Sequence, residues 1–285
     1  MAILIQTRDF GDAWTKLLSL IIDLGLEASP RDMKTKEITN VTLHVINGLS
    51  NILVSNVRDL NYRFMIAEWI WTQGGMYDVG SLERYNSVMR QFSDDGIYLA
   101  GAYGPRLLPQ WEYIFENLKK PFSRQAVASI WVPNPWPSKD IPCTLNLQWL
   151  IRNDRVNCTI NMRSSDVWLG LPYDYFNFSQ LTNIVSKSFN LPVGSITMNL
   201  ASSHLYEQHW SAADILLKNM ELPYSIPSPK LWKDDIVPCS EDLQEMLTNP
   251  KKDFSSLGFP WIQYADALST NKQHALEILF EISNG

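Results

Sequence analysis

The sequence predicts an α/β fold of the α+β kind, with helices backing a sheet, and three observations carry that reading. A β-hairpin is legible in residues 142–162, an apolar helical period runs through 10–26, and further strand-like and helix-like stretches follow one another along the chain. No charge run, low-complexity tract or Gly/Ser linker interrupts the 285 residues, so they read as one domain, 1–285.

In 10–26, Trp14, Leu17, Leu18, Ile21 and Leu24 share one helix face. Arg31 follows in a loop, residues 41–46 read as a strand, and 61–72 as a buried helix. There Glu68 stands among Ile66, Trp69, Ile70 and Trp71. A carboxylate in such company is costly to ionise unless hydrogen-bonded, so Glu68 is either a satisfied structural acid or a working one. Residues 74–104 are loop-rich, 111–118 read as a helix and 126–131 as a strand.

The hairpin is the most informative stretch. Leu145, Leu147, Trp149 and Ile151 share one parity, Val156, Cys158, Ile160 and Met162 another, with Asn153-Asp154 as turn residues. Pairing Arg152 with Arg155 sets Ile151 against Val156, Trp149 against Cys158, Leu147 against Ile160 and Leu145 against Met162. A one-residue slip would break every pair. One step further, Cys143 faces Ser164 with Arg163 beside it. The thiolate is the reactive form of cysteine and a nearby cation favours it, so Arg163 is expected to lower the Cys143 pKa. A thiol there can equally be a small buried hydrophobe.

Asp174 stands directly before the helical pattern of Phe178, Leu181, Ile184 and Val185, where an N-cap aspartate is expected. Asp166 and Gly170 occupy a strand-to-loop transition and are ordinary turn formers. The strand-like 195–206 puts His204 and Tyr206 on one face. A loop, 222–238, and a last helix ending at Ile282-Ser283-Asn284-Gly285 complete the chain.

A net charge of -6 argues against a general nucleic-acid binder, although a local arginine cluster suffices for a free nucleotide. Three cysteines at spacings unlike metal sites imply a reducing compartment. The apolar run near Met1 is too short for a signal peptide and none approaches transmembrane length, so a cytoplasmic protein is expected. Walker A, GxSxG and HExxH patterns are missing from the sequence.

Pro142-Cys143-Thr144 with Gln148, then MRSSDVWLGLP from Met162, then Ser203-His204-Leu205-Tyr206, resembles the thymidylate synthase superfamily of pyrimidine-nucleotide C5-transferases. The nearest likeness is to its phage-type deoxycytidylate hydroxymethylase branch, through Cys143-Thr144, Leu150-Ile151-Arg152, Asn161-Met162-Arg163-Ser164, Asp166-Val167, Gly170 and Asp174-Tyr175. Thymidylate synthases normally carry histidine after the cysteine and asparagine where Asp174 stands. PRDMKTKEI, IAEWIW, AYGPRL and SRQAVASIW extend the likeness from about Arg31 to Trp210.

The resemblance implies a homodimer with a mixed, mostly antiparallel sheet, a pyrimidine nucleoside monophosphate as substrate, and 5,10-methylenetetrahydrofolate as co-substrate without a metal. It casts Cys143 as the nucleophile on C6, Glu68 as organiser of water and protons, and Tyr103 as an active-site tyrosine. Arg31, Arg163 and, in trans, Arg124 would hold phosphate, with Ser164 as a further hydrogen-bonding group. His204 and Tyr206 would bind the 3′-hydroxyl, Asp166 and Gly170 the folate, and Asp174 the base. The implied reaction is dCMP hydroxymethylation. A C5-methyltransferase on dUMP or dCMP and a catalytically silent nucleotide binder are the rivals. Gln125 stands where a second phosphate arginine is usual, and the family's short apolar C-terminal tail is not recognisable.

Overall fold

Period-two alternation turns one side of each long strand into core. Val41, Leu43 and Val45, Leu147 and Trp149, Val156, Cys158, Ile160 and Met162, and Ile196, Met198 and Leu200 are all buried. In the computed structural model, which describes residues 2–133 and 137–283, they line one face of a mixed sheet. The strands are β1 (Ile3–Thr7), β2 (Leu26–Ala28), β3 (Thr35–Val45), β4 (Ser50–Val54), β5 (Val127–Ser129), β6 (Thr144–Arg152), β7 (Arg155–Met162), β8 (Ser165–Asp166), β9 (Val193–Tyr206) and β10 (Tyr224–Pro227). The sheet runs β1-β3-β9-β7-β6-β5, with β2 on β3 and β8 on β9, while β4 and β10 pair separately.

Pairing is antiparallel at β2/β3, β3/β9, β5/β6, β6/β7 and β4/β10, and parallel at β1/β3, β7/β9 and β8/β9. The parallel neighbours β1/β3 and β7/β9 require long crossovers, supplied by the helices Phe10–Leu24 and Leu171–Ser188. Both back the buried face. The opposite face is half-buried and polar, with a side-chain ladder from Thr42 through Asn199 and Asn161 to Asn146 across β3, β9, β7 and β6.

The helix Tyr62–Gln73, capped by Asn61, buries Phe64, Met65, Ile66, Trp69, Ile70 and Trp71 all round its circumference. It packs between Leu171–Ser188 and the C-terminal helices, where Trp69 stacks on Trp261 at 5.1 Å. The first helix stops at Leu24 because Gly25 closes it and the chain turns into β2, which the helical pattern through 26 does not foresee. Strand 41–46 is the second half of β3, β10 lies inside the expected 222–238 loop, and β1 and β4 are additions to the sequence reading. The last helix is Lys272–Ser283; Asn284 and Gly285 fall outside the described residues.

The hairpin keeps the expected register from Arg152/Arg155 through Leu147/Ile160, then shifts. Asn146 pairs with Asn161 and Thr144 with Met162, so Leu145 bulges out instead of meeting Met162. Its carbonyl accepts from the N–H groups of both Ile130 and Trp131. The extra residue moves Cys143 by one place: its carbonyl accepts from Arg163 N at 2.8 Å, so it faces Arg163, not Ser164.

Candidate active site

Cys143 sits half-buried just ahead of β6, at the end of the sheet where the chain leaves β7 and β9. A cleft of about 660 Å³ opens there, and Arg31, Cys143, Arg163, Ser164, His204 and Tyr206 all line it. A smaller cavity of about 130 Å³ lies beside it and is lined by Glu68, Tyr103, Asp174 and Asn177, with Trp71, Leu82, Met89 and Leu99 as apolar wall. Asp140 belongs to both. Its carboxylate accepts from Gly101 N at 2.7 Å, an approach that needs glycine, since a Cβ there would lie 2.6 Å from the Asp140 carbonyl oxygen.

Arg163 serves the backbone that carries the thiol. Its Nε donates to the Pro142 carbonyl at 2.8 Å and its Nη2 to that of Ile141 at 2.9 Å. Its effect on the thiol is smaller than the sequence suggests. Burial, then the charge of Asp174, push the Cys143 pKa above its ordinary value, and Arg163 and Arg31 oppose them without prevailing. In the unliganded protein the thiol is held protonated.

Asp174 is not a helix cap. Gly170 takes that place, Pro172 fits the first turn because its missing N–H is not needed there, and Asp174 falls inside the helix Leu171–Ser188. From there it lines the smaller cavity. Burial, then Asp166, push its carboxyl up to about 7. Glu68 goes higher, to about 8, through burial and then Asp174, against a hydrogen bond of 2.9 Å from Asn177 Nδ2. Two acids confined in one apolar pocket therefore titrate near neutrality. Tyr103 accepts from Thr144 N at 3.3 Å and stacks on Phe178, and burial keeps its phenol neutral.

His204 and Tyr206 share a face of β9, as expected, with rings edge-on at 5.2 Å. Burial lowers the His204 pKa, so the ring is neutral, and its Nδ1 lies 3.4 Å from Ser164 Oγ. Arg31 occupies a tight turn with φ 54°, left-handed backbone that non-glycine residues seldom adopt. Arg124 is exposed and lines neither cavity, nor does Gln125 beside it. Asp166 and Gly170 also lie off both walls. Asp166 Oδ1 accepts from the N–H groups of Trp168 and Leu169, both at 2.8 Å, which fixes the turn into the helix.

Sequence reasoning missed Asn177 and Asp140. Asn177 had a usable signal, since it follows Asp174 by three residues and so shares its helix face. Asp140 had none, because only the fold brings it to Gly101. Among the described residues no group of three or more His, Cys, Asp or Glu side chains could hold a metal ion, and no helix is long and apolar enough to cross a membrane.

The fold, with a thiol, arginines and half-buried acids gathered at one sheet end, is that of a folate-dependent one-carbon transferase that modifies pyrimidine C5. The chain belongs to the thymidylate synthase family, whose model matches residues 12–246. It is 30% identical over 263 residues to a deoxyuridylate hydroxymethyltransferase of Bacillus phage SP01, covering 84% of this chain and 67% of that protein. It is 23% identical over 248 residues to a thymidylate synthase of Bacillus mojavensis, covering 78% and 87%.

Proposed function

We propose that the protein is a dCMP 5-hydroxymethyltransferase, converting dCMP, 5,10-methylenetetrahydrofolate and water to 5-hydroxymethyl-dCMP and tetrahydrofolate in the cytoplasm. The observation that carries this reading is a half-buried carboxyl, Asp174, on the cavity wall beside Glu68. An ionised carboxylate only accepts hydrogen bonds. Cytosine offers it the 4-amino group and, when protonated, N3, whereas uracil would set O4 against the charge.

Binding and chemistry are then coupled. Asp174 is one of the causes that raise the Cys143 pKa, so a base that neutralises its charge frees the thiolate for attack on C6. Attack leaves C5 nucleophilic. Trp71, Leu82, Met89 and Leu99 give an apolar wall beside polar atoms, which suits the ring of the folate that supplies the one-carbon unit. Asp166 and Gly170 are assigned its polar edge. Arg31, Arg163 and Ser164 hold phosphate, His204 and Tyr206 the 3′-hydroxyl, and Tyr103 packs beside the base. In a homodimer Arg124, absent from its own cleft, reaches the partner subunit's phosphate.

A second reading, dUMP as substrate, is favoured by the name of the phage relative and by Asp174 itself. Protonated, this carboxyl can donate to O4 and accept from N3–H. Under either reading the ratio of kcat/KM for dCMP over dUMP rises as pH increases through about 7, and a flat ratio would remove Asp174 from base reading. The direct test is incubation with methylenetetrahydrofolate and each pyrimidine monophosphate, with products weighed by mass spectrometry. A hydroxymethylated cytidylate is expected. A methylated product accompanied by dihydrofolate overturns the proposal.

A further inference from the structure

We propose that Asn177 holds the water whose oxygen becomes the hydroxyl of the product, in the cavity it shares with Glu68 and Asp174. This rests on the hydroxymethyl reading above. Asn177 is 6% exposed, its Nδ2 is spent on Glu68 at 2.9 Å, and its Oδ1 has no hydrogen-bond partner among the described residues. Buried carbonyl oxygens are seldom left so. Of the described buried side-chain atoms in that condition, Asn177 Oδ1 belongs to the one residue that lines either cavity.

The surroundings suit a water. The cavity of about 130 Å³ holds one with room to spare, since a single water needs roughly 10–15 Å³. Its apolar side, Trp71, Leu82, Met89 and Leu99, offers nothing to bond. The polar side chains on the wall are those of Asn177, Glu68, Asp174, Tyr103, Thr72 and Asp140. Asn177 stands three residues beyond Asp174, about 4.5 Å along the helix axis, which places the water one turn from the group that reads the base.

The step balances with the groups present. Oδ1 accepts one O–H of the water, and the Glu68 carboxylate takes the other proton as the oxygen bonds to the exocyclic methylene carbon on C5. The methylene π pair moves into the ring. The C5–C6 double bond then re-forms as the C6–S bond breaks, and its electron pair leaves on the Cys143 sulfur. The Nδ2 hydrogen bond favours the ionised Glu68 that this step needs.

The test uses dCMP tritiated at C5 with methylenetetrahydrofolate, assaying tritium release and hydroxymethyl product together for wild type, Asn177→Leu and Asn177→Ser. Tritium release reports attack at C6 and loss of the C5 proton, which precede water capture. In Asn177→Leu the product should fall about 100-fold while tritium release falls less than about tenfold. Asn177→Ser, which keeps an acceptor and leaves room for water, should recover part of the product and serves as the deciding variant if the leucine protein does not fold. A product-to-tritium ratio unchanged in the variants, beside a wild type that makes hydroxymethyl product, overturns this inference alone. A wild type that makes only methyl product overturns the hydroxymethyl reading and the inference together.

Discussion

The two cavities that meet at Asp140 are built from different material. The smaller is carried by two buried helices, Tyr62–Gln73 and Leu171–Ser188, and holds acids pushed toward neutrality by apolar walls. The larger is carried by strand ends and turns and presents arginines, hydroxyls and a neutral histidine. Proton transfer gains from low dielectric and fixed geometry, whereas a phosphate needs charge and several hydrogen bonds. Cys143 stands at the boundary, and its thiol answers to the buried side: burial and Asp174 outweigh Arg163 and Arg31. This division of labour sorts the expected mutational effects.

Removing the boundary group has the largest expected effect. Cys143→Ser should cut product formation by about 10⁴-fold or more with nucleotide Kd little changed, as single-turnover and equilibrium binding measurements would show. Cys158, buried and pushed up to about 12, should be replaceable by alanine without loss of chemistry. If that substitution kills turnover and Cys143→Ser does not, the boundary has been placed wrongly.

Next comes base selection on the buried side. Asp174→Asn should move the dCMP-to-dUMP ratio of kcat/KM toward uridylate by up to about 10⁴, the scale on which sites of buried polar complementarity discriminate. A ratio that does not move would leave Asp174 without a role in reading the base.

Glu68→Gln should lower kcat by about 10² to 10³ and leave nucleotide Kd nearly unchanged. It carries a stability signature too. The folded-state pKa of about 8 is raised from 4.5, so the stabilising contribution is complete below about pH 4.5 and is lost as pH rises through about 8. Thermal unfolding should therefore show the glutamine protein gaining on wild type across that window. Parallel Tm curves would mean that folding does not raise the pKa of this acid.

On the side of the larger cavity the effects should be smaller and confined to binding. Arg31→Ala should weaken nucleotide Kd by about tenfold with kcat largely kept. Arg124→Glu should bind nucleotide weakly and turn over little at subsaturating nucleotide, yet recover activity there when re-formed with Cys143→Ser subunits, since a mixed dimer contains one complete site. Mixed dimers that form and stay inactive would remove Arg124 from the partner's phosphate.

Much of the frame follows from sequence alone because its signals are local. Apolar alternation pairs Trp149 with Cys158 and Leu147 with Ile160, and the 3.6-residue period marks the helices Phe10–Leu24 and Trp111–Leu118. The ordered segments around Cys143, Arg163 and Asp174 were enough to recognise the family. What only the tertiary structure decided depends on partners far along the chain. Leu145 bulges because its carbonyl serves Ile130 and Trp131, which turns Cys143 toward Arg163. Asp174 lies inside a helix that begins at Leu171, where a cap reading stops at the visible apolar period. The direction of the Cys143 shift is a sum of burial and charges from four other segments, and no local pattern contains that sum.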